Sequence, residues 1–198
     1  PIPKDFFQRI SYGLGYTLSL YPVGRFSELG FSDTNYFSGV NLTLSYQKRN
    51  KHTWGILYAT HSKRAVNLIS TGHYSDTQLY YQTYHITFQR CLYEESGLRI
   101  DGAIGSGITR AGYKVTTVHE TTGGNFGFVE RNGQSLSGSV GISTSYFLNP
   151  HWSVQLNTHY FFAHINSLQT PLETTDASAR PISLIGPTIE FATRFYLF

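Results

Sequence analysis

Arg9-Ile10-Ser11-Tyr12-Gly13-Leu14-Gly15-Tyr16-Thr17-Leu18-Ser19-Leu20 alternates at every step. One parity carries Arg9, Ser11, Gly13, Gly15, Thr17 and Ser19, and the other carries Ile10, Tyr12, Leu14, Tyr16, Leu18 and Leu20. Successive side chains of a β-strand point to opposite faces, so this stretch is a strand with one small polar face and one broad apolar face. A strand of a soluble barrel would turn its bulky apolar side inward to fill a core. Here the small polar side suits a crowded lumen, and the aromatic-rich side suits lipid.

The same template extends along the chain. Val40, Leu42, Leu44 and Tyr46 alternate with Asn41, Thr43, Ser45 and Gln47, and Leu136, Val140, Ile142 and Tyr146 share a parity opposed by Ser137, Ser139, Gly141, Ser143 and Ser145. The expected strands are 8–22, 38–48, 53–62, 78–91, 98–112, 135–147, 152–164 and 182–198. Long polar connections (23–37, 63–77, 113–134, 165–181) follow the odd-numbered strands, and short turns (49–52, 92–97, 148–151) follow the even-numbered ones. That rhythm predicts an all-β, eight-stranded, antiparallel up-and-down transmembrane barrel. It occupies residues 1–198 as one domain, with long loops extracellular and termini periplasmic.

Composition agrees with this reading. No run approaches the roughly 20 apolar residues that a membrane-spanning helix needs, whereas a strand crosses in about 9–11 and shows lipid only every second one. The mean hydropathy of −0.23 is therefore no obstacle. The 15 tyrosines and 14 phenylalanines fit strands and membrane interfaces. A net charge of +3, without a basic stripe interleaved with aromatics, argues against nucleic acid as a partner. The single cysteine, Cys91, forbids an intramolecular disulfide and a multi-cysteine metal site. Export to an outer membrane requires a leader, so the chain beginning at Pro1 is expected to be a processed form.

Trp54 and Trp152 each lie just after a short turn and are expected to form part of an aromatic girdle at the periplasmic interface. In the fourth strand Tyr80, Gln82, Tyr84, Ile86 and Phe88 share the outward parity, although Leu79 and Tyr81 stand on the other. In the last strand Ile189, Phe191, Phe195 and Leu197 are expected outside. The opposite phase would place Glu190 and Arg194 in lipid, and a midplane arginine costs about 2–4 kcal/mol there. The inward set then includes Arg9, His61, His85, Gln89, Arg99, Asp101, Gln155, His159, Glu190 and Arg194. Arg9, Arg99, Asp101, Glu190 and Arg194 are expected to form a lumen charge network that keeps buried charges paired. The spacing of His61, His85 and His159 matches no dedicated metal signature, and neither a metal nor another cofactor is expected. Asn41-Leu42-Thr43 matches a glycosylation sequon by chance, since it falls in mid-strand.

With its alternation, its loop rhythm and its aromatic end Arg194-Phe195-Tyr196-Leu197-Phe198, the chain resembles the small eight-stranded outer-membrane barrels of the OmpA and OmpX type. The resemblance implies that the terminal Phe198 contributes to recognition by the barrel-assembly machinery. Glu190 and Arg194 depart from it, because they occupy alternating positions where the familiar signal carries apolar side chains. A second, weaker resemblance is to the lipid A 3-O-deacylase barrels, whose late His-x-Ser element and following Glu imply a hydrolytic triad. Laying His159 and Glu173 on that motif puts Phe161 at the nucleophile; laying His164 there puts Asn166 at it and Ser167 one residue on, which a strand turns to the opposite face.

An eight-stranded barrel is filled by its own side chains or holds at most one small ligand, so a wide pore is excluded. Three functions follow. The first is a structural or interaction subunit, part of or accessory to an outer-membrane assembly, in contact with outer-membrane lipid and a protein partner, with Phe126 and Phe128 as loop contacts. The second is a lipid A-modifying acyl hydrolase using His164, Ser167 and Glu173. The third is a narrow channel or small-ligand transporter. The expected outcome is the first, without hydrolytic activity.

Overall fold

The computed structural model describes residues 8–22, 31, 36–48, 52–70, 73–119, 125–166, 168 and 181–197. Eight strands follow one another: β1 (Gln8–Leu20), β2 (Tyr36–Lys48), β3 (His52–Ser70), β4 (His73–Glu95), β5 (Leu98–His119), β6 (Asn125–Asn149), β7 (Trp152–Ile165) and β8 (Ile182–Leu197). Each pairs antiparallel with its sequence neighbours, and β1 closes on β8 from Ile10↔Leu197 to Ser19↔Thr188. The result is a closed up-and-down barrel with no sheet edge around its girth, the arrangement in which every backbone group of a membrane-crossing strand is paired.

Register fixes the faces. Ser11 lies opposite Ser45 and bonds it at 2.9 Å across the lumen side, while the adjacent pair Tyr12↔Leu44 points out. Outward positions on every strand are large, apolar and exposed, among them Leu14, Leu42, Ile56, Ile86, Ile104, Ile142, Leu156 and Phe191. The six outward residues Val40, Leu42, Leu44, Leu136, Val140 and Ile142 are all exposed, Leu136 to 82%. In β4, Leu79, Tyr81, Thr83 and His85 are buried inside while Tyr84 and Ile86 face out, and in β8 Glu190, Ala192, Arg194 and Tyr196 are inside with Phe191, Phe195 and Leu197 outside. Both strands take the expected phase. Phe198 lies outside the described residues.

The expectation of long polar loops at 63–77 and 113–134 is corrected by the structure. β3 and β4 stay paired from Lys63↔Leu79 to Leu68↔Tyr74 and end at Ser70↔His73, and β5 and β6 stay paired out to Val118↔Asn125. Beyond Ala65 and Tyr113, which still pack against the buried interior, the residues of both faces are exposed or half-exposed, so the alternation of apolar and polar residues fades while the strands continue. Val115-Thr116-Thr117-Val118 is a β-branched run that favours extended backbone without needing an apolar face. The turn expected over 92–97 is likewise shorter, because β4 runs to Glu95 with a bulge between Cys91 and Tyr93. Only Ser96 and Gly97 turn the chain, with φ of 51° and 87°. Two positive φ values in a two-residue hairpin are those of a type I′ turn, which matches strand twist and favours glycine at its second position.

Candidate functional site

The lumen divides into two zones. Towards the short-turn end it is polar. Arg99 on β5 grips Asp101 two residues along the same face, with Nε at 2.9 Å and Nη2 at 2.7 Å from the carboxylate, and both side chains are almost fully buried. Glu94 adds a looser contact to Arg99 at 3.9 Å. Arg9 reaches the Pro150 carbonyl at 3.5 Å and lies 5.5 Å over the Tyr196 ring. Glu190 accepts a hydrogen bond from Asn157 Nδ2 at 2.9 Å. All five charged residues assigned to the lumen are thus inside; Arg99 and Asp101 form a bidentate pair, while Arg9 reaches a carbonyl and lies over a ring.

A cavity of about 60 Å³ lies beside Glu190 and Arg194, bordered also by Ser143, Asn157 and His159. Ser143 Oγ, Asn157 Oδ1 and Arg194 Nε have no hydrogen-bond partner among the described residues. A polar space of this size admits water, which is how buried groups of this kind are satisfied.

The three inward histidines go to separate partners. His61 Nε2 meets Thr17 Oγ1 at 2.6 Å and its ring stacks on Tyr81 at 4.4 Å, whereas His85 Nε2 meets Ser137 Oγ at 2.8 Å and its ring faces Phe161 at 5.9 Å. His159 borders the cavity. Among the described residues no group of three or more His, Cys, Asp or Glu side chains is placed to hold a metal ion.

Towards the long-strand end the lumen is apolar. Tyr21, Phe37, Leu79, Tyr81, Phe161, Ile165, Ile182 and Leu184 are buried together there. Tyr21 donates to Tyr81 at 2.9 Å, Tyr81 donates to Ser19 at 2.8 Å, and Phe161 stacks on Tyr81 at 6.0 Å. This plug fills the bore with side chains from β2, β4, β7 and β8 and with Tyr21 just past β1, and it was not anticipated. Its signal was present in β4, where Leu79 and Tyr81 put bulk on the inward parity.

Of the hydrolase candidates His164, Ser167 and Glu173, only His164 is among the described residues. Phe161 faces inward and His164 faces outward. Ser167 and Glu173 lie outside the described residues. His164 Nδ1 instead approaches Ser183 Oγ of β8 at 2.7 Å, a pairing of β7 and β8 across their shared register that spacing along one strand does not reveal. Trp54 and Trp152 are exposed at the end of the barrel that carries the short turns. Trp54 leans on Phe88 at 4.7 Å, and Trp152 stacks on Phe195 at 5.5 Å, which in turn stacks on Tyr12 at 5.4 Å. Phe126 and Phe128, assigned to a loop, belong to β6, so their expected setting is corrected; their side chains lie outside what the structure describes. Asn41 of the sequon is buried in the lumen, out of reach of any modifying enzyme in the folded barrel.

No protein-family model matches the chain, and no curated protein matches it. Solved structures do. Ail, the attachment invasion locus protein of Yersinia pestis, in complex with the heparin analogue sucrose octasulfate, aligns with a TM-score of 0.55 at 14% identity over 96% of this chain and 99% of that one. A major outer membrane protein from Thermus thermophilus aligns at 0.54 and 8% identity, again over 96% and 99% of the two chains. OprG of Pseudomonas aeruginosa reaches 0.49 at 12% identity over 96% of each chain. Identities this low speak to the fold alone. Taken with the ring of eight antiparallel strands and the apolar exterior, the first two likenesses give the conclusion that this chain is a small eight-stranded barrel of the outer-membrane type.

Proposed function

We propose that the protein is an interaction barrel, anchored in the outer membrane and presenting a protein-docking surface outside it, as part of or accessory to an outer-membrane assembly. In this reading the long-strand end is extracellular, the short turns and termini are periplasmic, and Trp54 and Trp152 sit at the periplasmic interface. The observation that carries it is the unequal height of the wall: β3 to β6 continue as a paired sheet well past the ends of β1, β2, β7 and β8. A sheet that rises out of the membrane adds nothing to anchorage, and its outer face leaves Val66 and Leu68 more than half exposed. Phe126 and Phe128 lie on the same rising sheet, on β6 with β4 and β5 between, and are further proposed contacts. Filling of the bore by the Tyr81 and Phe161 plug speaks against the channel reading.

The test is site-specific photo-crosslinking in cells with a probe at Val66 or Leu68, and at Leu42 in the apolar band as control. A discrete protein adduct from the first two positions only is the expected result. Adducts at neither, together with periplasmic rather than surface labelling of Val66→Cys in a Cys91→Ser background, would overturn both partner and orientation.

A second reading has one observation in its favour. The 2.7 Å contact between His164 and Ser183 puts a base beside a hydroxyl on the lipid-facing wall, the minimal pair for acyl transfer from a lipid ester. It lacks an orienting acid among the described residues. Release of fatty acid from lipid A by the purified barrel, abolished by Ser183→Ala, would establish it in place of the interaction reading.

A further inference from the structure

On β4, β5 and β6 the outward parity turns polar as the wall leaves the apolar band, at Gln82, Arg110 and Gln134. β4, β5 and β6 do so side by side, because Gln82 lies opposite Arg110, which lies opposite Gln134. Immediately towards the membrane, on the same outward parity, stand Tyr84, Ile108 and Leu136, all exposed. Arg110 is exposed and makes no hydrogen bond or ion pair to any described residue. The nearby carboxylates are engaged elsewhere: Glu130 accepts from Tyr80 at 3.2 Å, and Asp76 is bidentate to Arg64 at 2.6 and 2.8 Å. A shallow open groove runs past this guanidinium, bordered by Tyr80, Gln82, Asn132 and Gln134. Tyr80 is held over Gly112, where an added Cβ would meet its ring at 2.2 Å, and its one hydroxyl proton is shared between Glu130 and Asn132 at 3.2 and 3.1 Å, so this wall of the groove is fixed.

A guanidinium on the lipid-facing wall is costly at mid-bilayer and nearly free of cost at the interface, which sets Arg110 at headgroup level. The anions at that level are lipid phosphates. A planar guanidinium offers a phosphate two parallel donors, and the carboxamides of Gln82 and Gln134 offer donors and acceptors suited to sugar hydroxyls on either side. From this we infer that Arg110, flanked by Gln82 and Gln134, is the headgroup site for a phosphate-bearing glycolipid of the outer leaflet, whose acyl chains lie against Tyr84, Ile108 and Leu136. The inference rests on the outer-membrane placement and the orientation, and stands whether or not a protein docks on the rising sheet.

The experiment is native mass spectrometry of the intact barrel released from detergent micelles, titrated with bisphosphorylated lipid A, with its fully dephosphorylated form, and with inorganic phosphate. The expected result is one retained bisphosphorylated lipid per barrel, with Arg110→Gln weakening retention about tenfold or more, as loss of a charge-assisted pair of hydrogen bonds implies. Arg110→Lys should fall between, and Arg90→Gln, removing an exposed arginine near the opposite rim, should bind as the parent does. Heat-dependent gel mobility verifies that each variant is folded. Equal retention by Arg110→Gln, or equal retention of the dephosphorylated lipid, would overturn the assignment. So would inorganic phosphate binding at Arg110 with the affinity of the lipid, since the site would then be one for free phosphate.

Discussion

Within β5, two glycines five residues apart do different jobs. At Gly107 an added Cβ would stand 1.8 Å from the Tyr84 carbonyl oxygen, a backbone atom that is not free to swing aside, whereas at Gly102 the nearest atom is Leu92 Cδ1 at 3.5 Å, an ordinary contact. Gly107→Ala is therefore expected to destabilise the barrel by about 1–3 kcal/mol, and Gly102→Ala to be nearly neutral, as read from urea unfolding midpoints in detergent. Arg99 and Asp101 give the other residue-scale case. Two buried charges in bidentate contact are tolerable together and costly apart. Asp101→Ala should cost about 3–5 kcal/mol, and the double replacement Arg99→Met with Asp101→Leu should recover most of it. Equal losses in single and double variants would show that the pair does not act as a unit.

The β3–β4 extension is held by strand pairing and by Arg64 with Asp76 in its lower half. Hydrogen bonding to the Arg64 guanidinium keeps the Asp76 carboxyl below the ordinary carboxylate range. Since this pKa is lower folded than unfolded, the contribution is complete above about pH 4 and is lost as the pH falls through the folded value. The pair is largely exposed, so its effect is local fraying and not loss of the barrel. Amides of residues 64–76 should exchange hydrogen faster at pH 3 than at pH 5 after correction for intrinsic rates. Asp76→Asn should exchange at the faster rate at both. A pH-independent difference would place the stability of this extension in backbone pairing alone.

At the scale of the whole molecule, closure and the plug make the stability and transport predictions. With β1 bonded to β8 the barrel has no edge from which unfolding in a membrane can begin, so unheated protein should migrate differently from boiled protein on a detergent gel. Identical mobility would contradict a spanning barrel. Tyr21, Phe37, Tyr81 and Phe161 are packed together in the bore. A planar bilayer containing the protein should therefore show no resolvable single-channel steps.

Period-two alternation carried the strand number, the membrane-facing side, the phase of β4 and β8 and the inward position of all five lumen charges, because each of these follows from parity along one strand in a medium that differs between its two faces. Where that difference disappears, so does the legibility: beyond Ala65 and Tyr113 the residues of both faces are exposed or half-exposed, and the paired strands around Val66 and Val115 read as loops. Parity also cannot tell which inward residues stand at the same height. That Tyr81 meets Phe161, that Arg9 takes the Pro150 carbonyl, that His164 faces Ser183, and that Gln82, Arg110 and Gln134 fall in one row were decided by register between strands and by the closing of β8 on β1. Those are pairings between residues distant in the chain, which the alternation within a single strand does not contain.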